Sequence, residues 1–533
     1  MSAEPLWHSP GIPVAFLTDF PAAIAGDPPL KERHTRMTAH PQSSEPQPSS
    51  APSRRKFVAA SAAVGAAALT GASLAASAPA QARTTAGRTA SARTAGATCT
   101  TIPNKYDQPF EVCDDELFVF MANYKPFENP GFFDKVIGDA LRAAFPGLKI
   151  KAVTWDYPIR YEDLDKAGVV PDIVIEDPRR RIDRDLEPRG WLRDLTDDIR
   201  TAGIDLGSLD PAAVAQVRAR SDGGLYGVPL FVDEFVLFHN KKIFDMKGLR
   251  PPANGVTYDE AFRLAKKLTF EQDLVAYKGY LQHPDLYLEF NQLGLYPFVP
   301  GGSENPAPED VKVNITSAGW QRLGANMERF LLHPHNIFTS VDEYLTSGHV
   351  AMAVDSLWKL NAYALSPLYL QEDDAEEWRE LAKGVELGVT SVPVLGRGDN
   401  AVYQPNTMAA FLPPQSRKKA QALQVLKWLV SQEGQVELSR HGMKPALRSR
   451  AVESAFGAAI PELKGIDTSG VFWGDNALLT DYENTEYWDL PLYKVFRQHV
   501  LRDGLRVSSA LQVTETVDIP AYIKAQVEAG FDW

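Results

Sequence analysis

At 533 residues the chain exceeds what one hydrophobic core commonly serves, so two or three domains are expected. Hydrophobic residues make up 44%, ordinary for a globular chain, and no apolar stretch is long enough to cross a membrane. A net charge of −13 argues against a nucleic-acid partner, which would require a basic face.

The N-terminal region carries a processing pattern rather than a fold pattern. Ser53-Arg54-Arg55-Lys56-Phe57-Val58 opens an Ala-rich apolar run to Ala76, and Ala80-Gln81-Ala82 follows. A charged stretch, an apolar stretch and an A-x-A site resemble a twin-arginine export signal, so residues 1–82 are expected to be an upstream extension and signal peptide. A disordered Ala/Arg linker is the alternative. The long segment before the arginine pair suggests translation from Met37. An exported protein would work in the periplasm or outside the cell. Residues 83–113 are expected to form a disordered tether, since Arg83 to Ala97 shows no periodicity. Cys99 and Cys113 are the only cysteines, and in an oxidising compartment a disulfide is the favoured reading. A lipid anchor at Cys99 is disfavoured because the tether separates it from the apolar run.

Glu116 to Met121 (ELFVFM) reads as a first strand, Pro130 to Phe145 as an amphipathic helix, and Lys149 to Thr154 as a second strand. Ile159 to Lys166 is helical and Val169 to Ile175 a third strand. Strand, helix, strand, helix, strand implies a parallel sheet built from βαβ units. After the Gly223-Gly224 turn, Leu225 to His239 runs apolar with β-branched and aromatic enrichment, a buried strand holding the adjacent acids Asp233 and Glu234. Lys241 to Lys247 is a short helix, stopped by Pro251-Pro252. Thr257 with Glu260 three residues on is a capping box opening the helix Tyr258 to Leu268.

Gly224, Tyr226, Gly227, Pro229, Phe238, Asn240, Lys241, Gly248, Leu249, Pro251, Pro252, Thr257, Asp259, Glu260 and Lys267-Leu268-Thr269 stand in a fixed order. That order resembles the extracellular solute-binding proteins of ABC importers (family 1, maltose-binding-protein-like). Pro171-Asp172-Ile173, Gly190 to Thr196, Gly348 to Met352 and Gly442 to Ala446 resemble further family motifs. His349 departs from the usual Lys or Glu, and Ser391 stands where a proline is common. The resemblance covers about Glu116 to Ala529 and implies an α/β, two-lobe periplasmic-binding-protein-like fold of type II with three crossings between lobes. On that scheme residues 114–232 begin lobe 1 and 233–346 begin lobe 2. Residues 347–400 return to lobe 1, 401–470 to lobe 2, and 471–533 form a C-terminal helical segment. The helices expected late in the chain are Ser317 to Leu332, Arg417 to Gln432 and Ile519 to Ala529.

The resemblance implies capture of a small solute, most simply a sugar or oligosaccharide, by hinge closure and delivery to ABC permease subunits. It implies no cofactor, no metal, no nucleic acid and a monomer. Sugar rings stack on flat aromatic faces while carboxylates and amides bond the hydroxyls. Asp233, at the first crossing, is the leading ligand candidate; a hinge salt bridge is its bland alternative. Neighbouring strand residues point to opposite faces, so only one of Asp233 and Glu234 is expected to reach a ligand. Asp355 and Trp358 follow the Ala351-Met352 strand, and Tyr403, Gln404 and Asn406 lie near the third expected crossing. Asn123, Tyr124, Glu176 and Asp177 sit at the carboxyl ends of parallel strands, where ligands bind in open α/β sheets. Trp473 and Trp488 are candidates to close from lobe 2, with packing of the C-terminal segment as their alternative, and Asn291 and Gln292 are weaker ones. A peptide binder, or a secreted glycosidase using two carboxylates, stays open as an alternative. No G-x-S-x-G, H-E-x-x-H or P-loop is present. His333-Pro334-His335 reads as a loop, and Glu372 to Glu377 as a solvated helix start.

Overall fold

Uninterrupted apolar runs form strands buried on both faces, and here they assemble two separate sheets. The computed structural model describes residues 97–103, 110–122, 131, 134–155, 158–219, 221, 223–282, 288–299, 312–334, 343–360, 383–478 and 490–528, all within the unit Ala92–Trp533. The signal-like segment, Asn123, Tyr124, the acidic run from Glu372 and Trp488 lie outside the described residues.

The larger sheet has seven strands, in the order Lys444–Pro445, Gly227–Asp233, Asn406–Phe411, Ile173–Glu176, Glu116–Met121, Lys149–Trp155, Pro158–Ile159. Glu116–Met121 pairs in parallel with both Lys149–Trp155 and Ile173–Glu176, as the βαβ reading requires. The helices Asp139–Ala144 and Tyr161–Ala167 make the crossovers, the first preceded by a π turn at Asp134–Gly138. Asn406–Phe411 joins antiparallel to Ile173–Glu176 and to Gly227–Asp233. Leu117 to Met121, Ile173 to Ile175 and Met408 to Phe411 fill one core. Asp172 fixes the entry to its strand by accepting Phe118 N–H at 2.9 Å and the Ser416 hydroxyl at 2.6 Å.

The smaller sheet runs Leu281–Gln282, Met352–Ser356, Phe235–Asn240, Leu387–Ser391. Side chains alternate across it. Phe235, Leu237, Met352 and Val354 face a core shared with the helices Tyr258–Leu268, Ala318–Leu331 and Leu492–Leu501. Val236, Phe238, Ala353 and Val389 face a second core with Tyr344, Phe456 and Val471. Both faces are covered, which is why Leu225 to His239 shows no polar alternation.

Sheet membership departs from the sequence scheme. Met352–Ser356, expected to return to lobe 1, pairs antiparallel with Phe235–Asn240, and Leu387–Ser391 pairs on that strand's other side. The chain regains the larger sheet only at Asn406 and leaves it again beyond Pro445, after which Phe456, Ile460 and Leu463 pack in the smaller lobe. The last helices, with Phe496, Leu511 and Ile523, share that lobe's other core and do not form a separate segment. Every position of Met352–Val354 and of Leu387–Ser391 is buried, so these strands suit either sheet and their apolarity does not choose between them. Within the expected tether, Cys99–Ile102 and Phe110–Cys113 are strands. They form an antiparallel hairpin in which Cys99 faces Cys113 and is disulfide-bonded to it.

Candidate ligand site at the junction of the two sheets

Gly227–Asp233 leaves the larger sheet and Phe235–Asn240 enters the smaller one, so this passage between them is Asp233-Glu234. Both carboxylates are buried, and they diverge as strand pleat demands. Asp233 Oδ1 accepts the Trp358 N–H at 3.0 Å, and Oδ2 accepts the Ser356 hydroxyl. Burial pushes the Asp233 carboxyl up to about 7; its two hydrogen bonds oppose this, while Glu234 and Asp355 add to it. Glu234 turns the other way, to Lys444 Nζ at 2.5 Å, and Lys444 also donates to Asn476 Oδ1 at 3.3 Å. Burial raises Glu234 above the usual carboxylate range against the pull of Lys444.

The end of Met352–Ser356 supplies the next groups. Asp355 is buried and pairs with Lys359 one helical turn on, at 3.3 Å. Trp358 packs against the larger lobe's core although its strand belongs to the smaller sheet, and Lys359 Nζ lies 5.7 Å from its ring centre. Opposite Asp233 in register stands Asn406, whose Oδ1 accepts from the Arg179 guanidinium. Asp177 caps the short helix Pro178–Arg181 through Arg179 N–H at 2.9 Å and holds the guanidinium at 2.8 and 2.6 Å. The guanidinium carbon of Arg179 lies 4.9 Å over the ring of Phe290, a residue of the smaller lobe's core. Asp233, Asp355, Trp358, Asn406 and Asp177 are thus gathered where the lobes meet.

The other candidates lie elsewhere. Glu176 is fully buried and takes the Tyr161 hydroxyl at 2.6 Å and the Asp177 N–H at 2.7 Å. Tyr403 is inside the smaller lobe, its hydroxyl 2.5 Å from that of Tyr258 and its ring edge-on to Phe235. Gln404 bonds the Phe290 and Asn291 backbone carbonyls, and the Asn291 side chain bonds the carbonyls of Leu288 and Leu295. Gln292 reaches the Pro393 carbonyl at 2.8 Å. Trp473 packs so closely on Gly255 that a Cβ there would stand 2.5 Å from the ring. Sequence reasoning missed Arg179, Phe290, Ser356, Lys359 and Lys444. Only Arg179 left a local signal, in Asp177-Pro178-Arg179, where an acid before a proline marks a helix start. Among the described residues no group of three or more His, Cys, Asp or Glu is placed to hold a metal ion.

Two sheets, a short polar passage between them and charged groups gathered at it are the features a family comparison can test. The model of the bacterial extracellular solute-binding protein family matches residues 126–436. The chain belongs to this family. The fold of this solute-binding protein is similar to that of the cyclic alpha-maltosyl-1,6-maltose binding protein from Arthrobacter globiformis, at 18% identity and a TM-score of 0.55, covering 77% of this chain and 99% of that one. It is also similar to a sugar transporter from Rhizobium etli in an open conformation, at 18% identity, TM-score 0.54 and coverage of 76% and 99%. A third similar structure is UgpB from Mycobacterium tuberculosis in complex with glycerophosphocholine, at 15% identity, TM-score 0.53 and coverage of 78% and 98%. No curated protein matches by sequence. The solute-binding protein therefore has the type II periplasmic-binding fold, and its role is to bind a solute.

Proposed function

We propose that the solute is a sugar or oligosaccharide, captured between the lobes and passed to an ABC permease by an exported, monomeric protein. The observation that supports this most is the convergence at the lobe junction of a flat aromatic, Trp358, with hydrogen-bonding groups from both sides, Asp177, Arg179, Asn406, Asp233 and Asp355. Aromatic faces beside paired polar groups suit polyhydroxylated rings. The names of similar structures point the same way: one binds a cyclic maltosyl-maltose and another is a sugar transporter. The glycerophosphocholine complex shows that this fold also accepts a non-sugar solute, so that ligand belongs in the test. Of the candidates, Trp358 and Asn406 are the proposed direct contacts. Asp233 and Asp177, whose oxygens bond to protein groups, are proposed to hold the site's frame, as are Glu176 and Asp355. Tyr403 and Trp473 support the smaller lobe from within. Tyr124 stands as a proposed contact from the carboxyl end of Glu116–Met121. A proton acceptor or nucleophile for glycoside cleavage is not part of this reading.

Titration calorimetry with mono- and oligosaccharides, glycerophosphocholine and short peptides tests the proposal. Saturable one-to-one binding of a sugar is expected, weakened at least tenfold by Trp358→Ala. Binding of a peptide alone, or release of free sugar from an oligosaccharide, would overturn it.

A further inference from the structure

Asp233 ends a strand of the larger sheet, yet both its carboxylate oxygens are engaged by the end of a strand of the smaller sheet. Oδ1 takes the Trp358 N–H and Oδ2 the Ser356 hydroxyl, so the tie spans the point about which one lobe would turn against the other. Trp358, whose amide is held this way, lays its ring on the larger lobe's core.

The surrounding charges are already matched. On its own strand extension, Glu234 is paired with Lys444 from Lys444–Pro445. At the end of Met352–Ser356, Asp355 is paired with Lys359. Across the sheet, Asn406 takes Arg179, which is paired with Asp177. Beyond these, Asp210 pairs with Arg448 at 3.0 Å. Each of these cations has a carboxylate of its own, and among the described residues no ion pair reaches Asp233. A buried carboxylate without a cation is strongly disfavoured in its ionised form. A neutral Asp233 keeps both contacts: it still accepts from Trp358 N–H, and its own O–H donates to Ser356 Oγ.

We propose that a proton on Asp233 is a latch for the lobe arrangement, closing the tie to Ser356 and Trp358 when bound and releasing it when lost. The burial that lifts this carboxyl to about 7 agrees with that assignment. The covered arrangement holds the proton more tightly than one that gives the carboxylate water, so acid favours it. Between the ordinary carboxylate range and about 7, the ratio of covered to open forms falls about tenfold for each pH unit, and above about 7 it levels off. The latch depends on the two-lobe frame and not on which solute is carried, and it makes capture by closure a proton-linked event.

Small-angle scattering of the full, solute-free chain between about pH 4 and about pH 9 tests it. The radius of gyration is expected to rise with pH through one transition below about 7 and to level off above it. Asp233→Asn, which keeps both hydrogen bonds and does not titrate, is expected to stay at the low value throughout. Ser356→Ala removes the bond that the protonated carboxyl donates in the covered form, so its transition is expected at lower pH. A pH-invariant wild type, or an unchanged transition in Asp233→Asn, overturns the latch. Should Asp233→Asn fail to fold, an unmoved midpoint in Ser356→Ala does the same.

Discussion

Lys444→Met isolates the most consequential ion pair at the lobe junction. Lys444 is 6% exposed and Glu234 3%, and their contact is 2.5 Å, so removing the ammonium leaves a carboxylate with little water to replace it. Breaking a buried pair from one side costs about 3–5 kcal/mol, and Asn476 Oδ1 loses a donor as well. Burial already raises Glu234, and without Lys444 the group is driven further toward its protonated form. The loss is therefore largest where Glu234 would otherwise be ionised and shrinks as the pH falls and the carboxyl takes up a proton. Urea unfolding followed by tryptophan fluorescence, at about pH 8 and again at about pH 5, measures both effects. The double variant Glu234→Leu with Lys444→Met should recover most of the stability, because two apolar groups need no pairing. A loss below about 1 kcal/mol for Lys444→Met at the higher pH, the range of an exposed pair, would refute the reasoning.

His239 and the Cys99–Cys113 bridge give two further expectations. His239 is buried against Gly388, where a Cβ would stand 2.0 Å from its Nε2, and burial lowers it to about 4. The folded protein thus holds this imidazole neutral; stability is complete above the ordinary histidine value and falls as pH drops toward 4, by about 3 kcal/mol in all. His239→Gln should flatten the stability profile over that interval, and an unchanged slope would assign the effect elsewhere. The disulfide closes a separation of 14 residues, for which chain entropy gives about 3 kcal/mol. Its hairpin is a two-stranded sheet of its own, packed through Ile102 on the larger lobe's core. Cys99→Ser with Cys113→Ser should speed hydrogen exchange between Thr100 and Val112 while leaving exchange in Glu116–Met121 unchanged; loss of protection in both would contradict a local role.

What the sequence made legible was local. Thr257 and Glu260 form the expected capping box, with Glu260 N–H to Thr257 Oγ1 at 3.2 Å and Thr257 N–H to Glu260 Oε2 at 3.0 Å. Asn240, one of the residues standing in the family's order, caps Lys241–Met246 and bonds the carbonyls of Gly348 and Gly384. Neighbouring Asp233 and Glu234 do diverge, because that follows from strand pleat alone. Pairings between distant segments were not legible. Glu234 finds Lys444 across 210 residues and Arg179 finds Asn406 across 227, and no local pattern announces either. Strand membership failed for the same reason: Met352–Ser356 carries no mark of which sheet it joins, since both sheets offer apolar faces. Trp358 follows a strand whose apolar run is readable, but its packing on the opposite lobe's core depends on that unreadable pairing.

Closure of the two lobes on a sugar is proposed here, and scattering of the purified chain with and without the sugar that binds best by calorimetry measures it. A smaller radius of gyration is expected on saturation, with the change abolished by Trp358→Ala at the same sugar concentration. Saturable binding with no change in radius would contradict it.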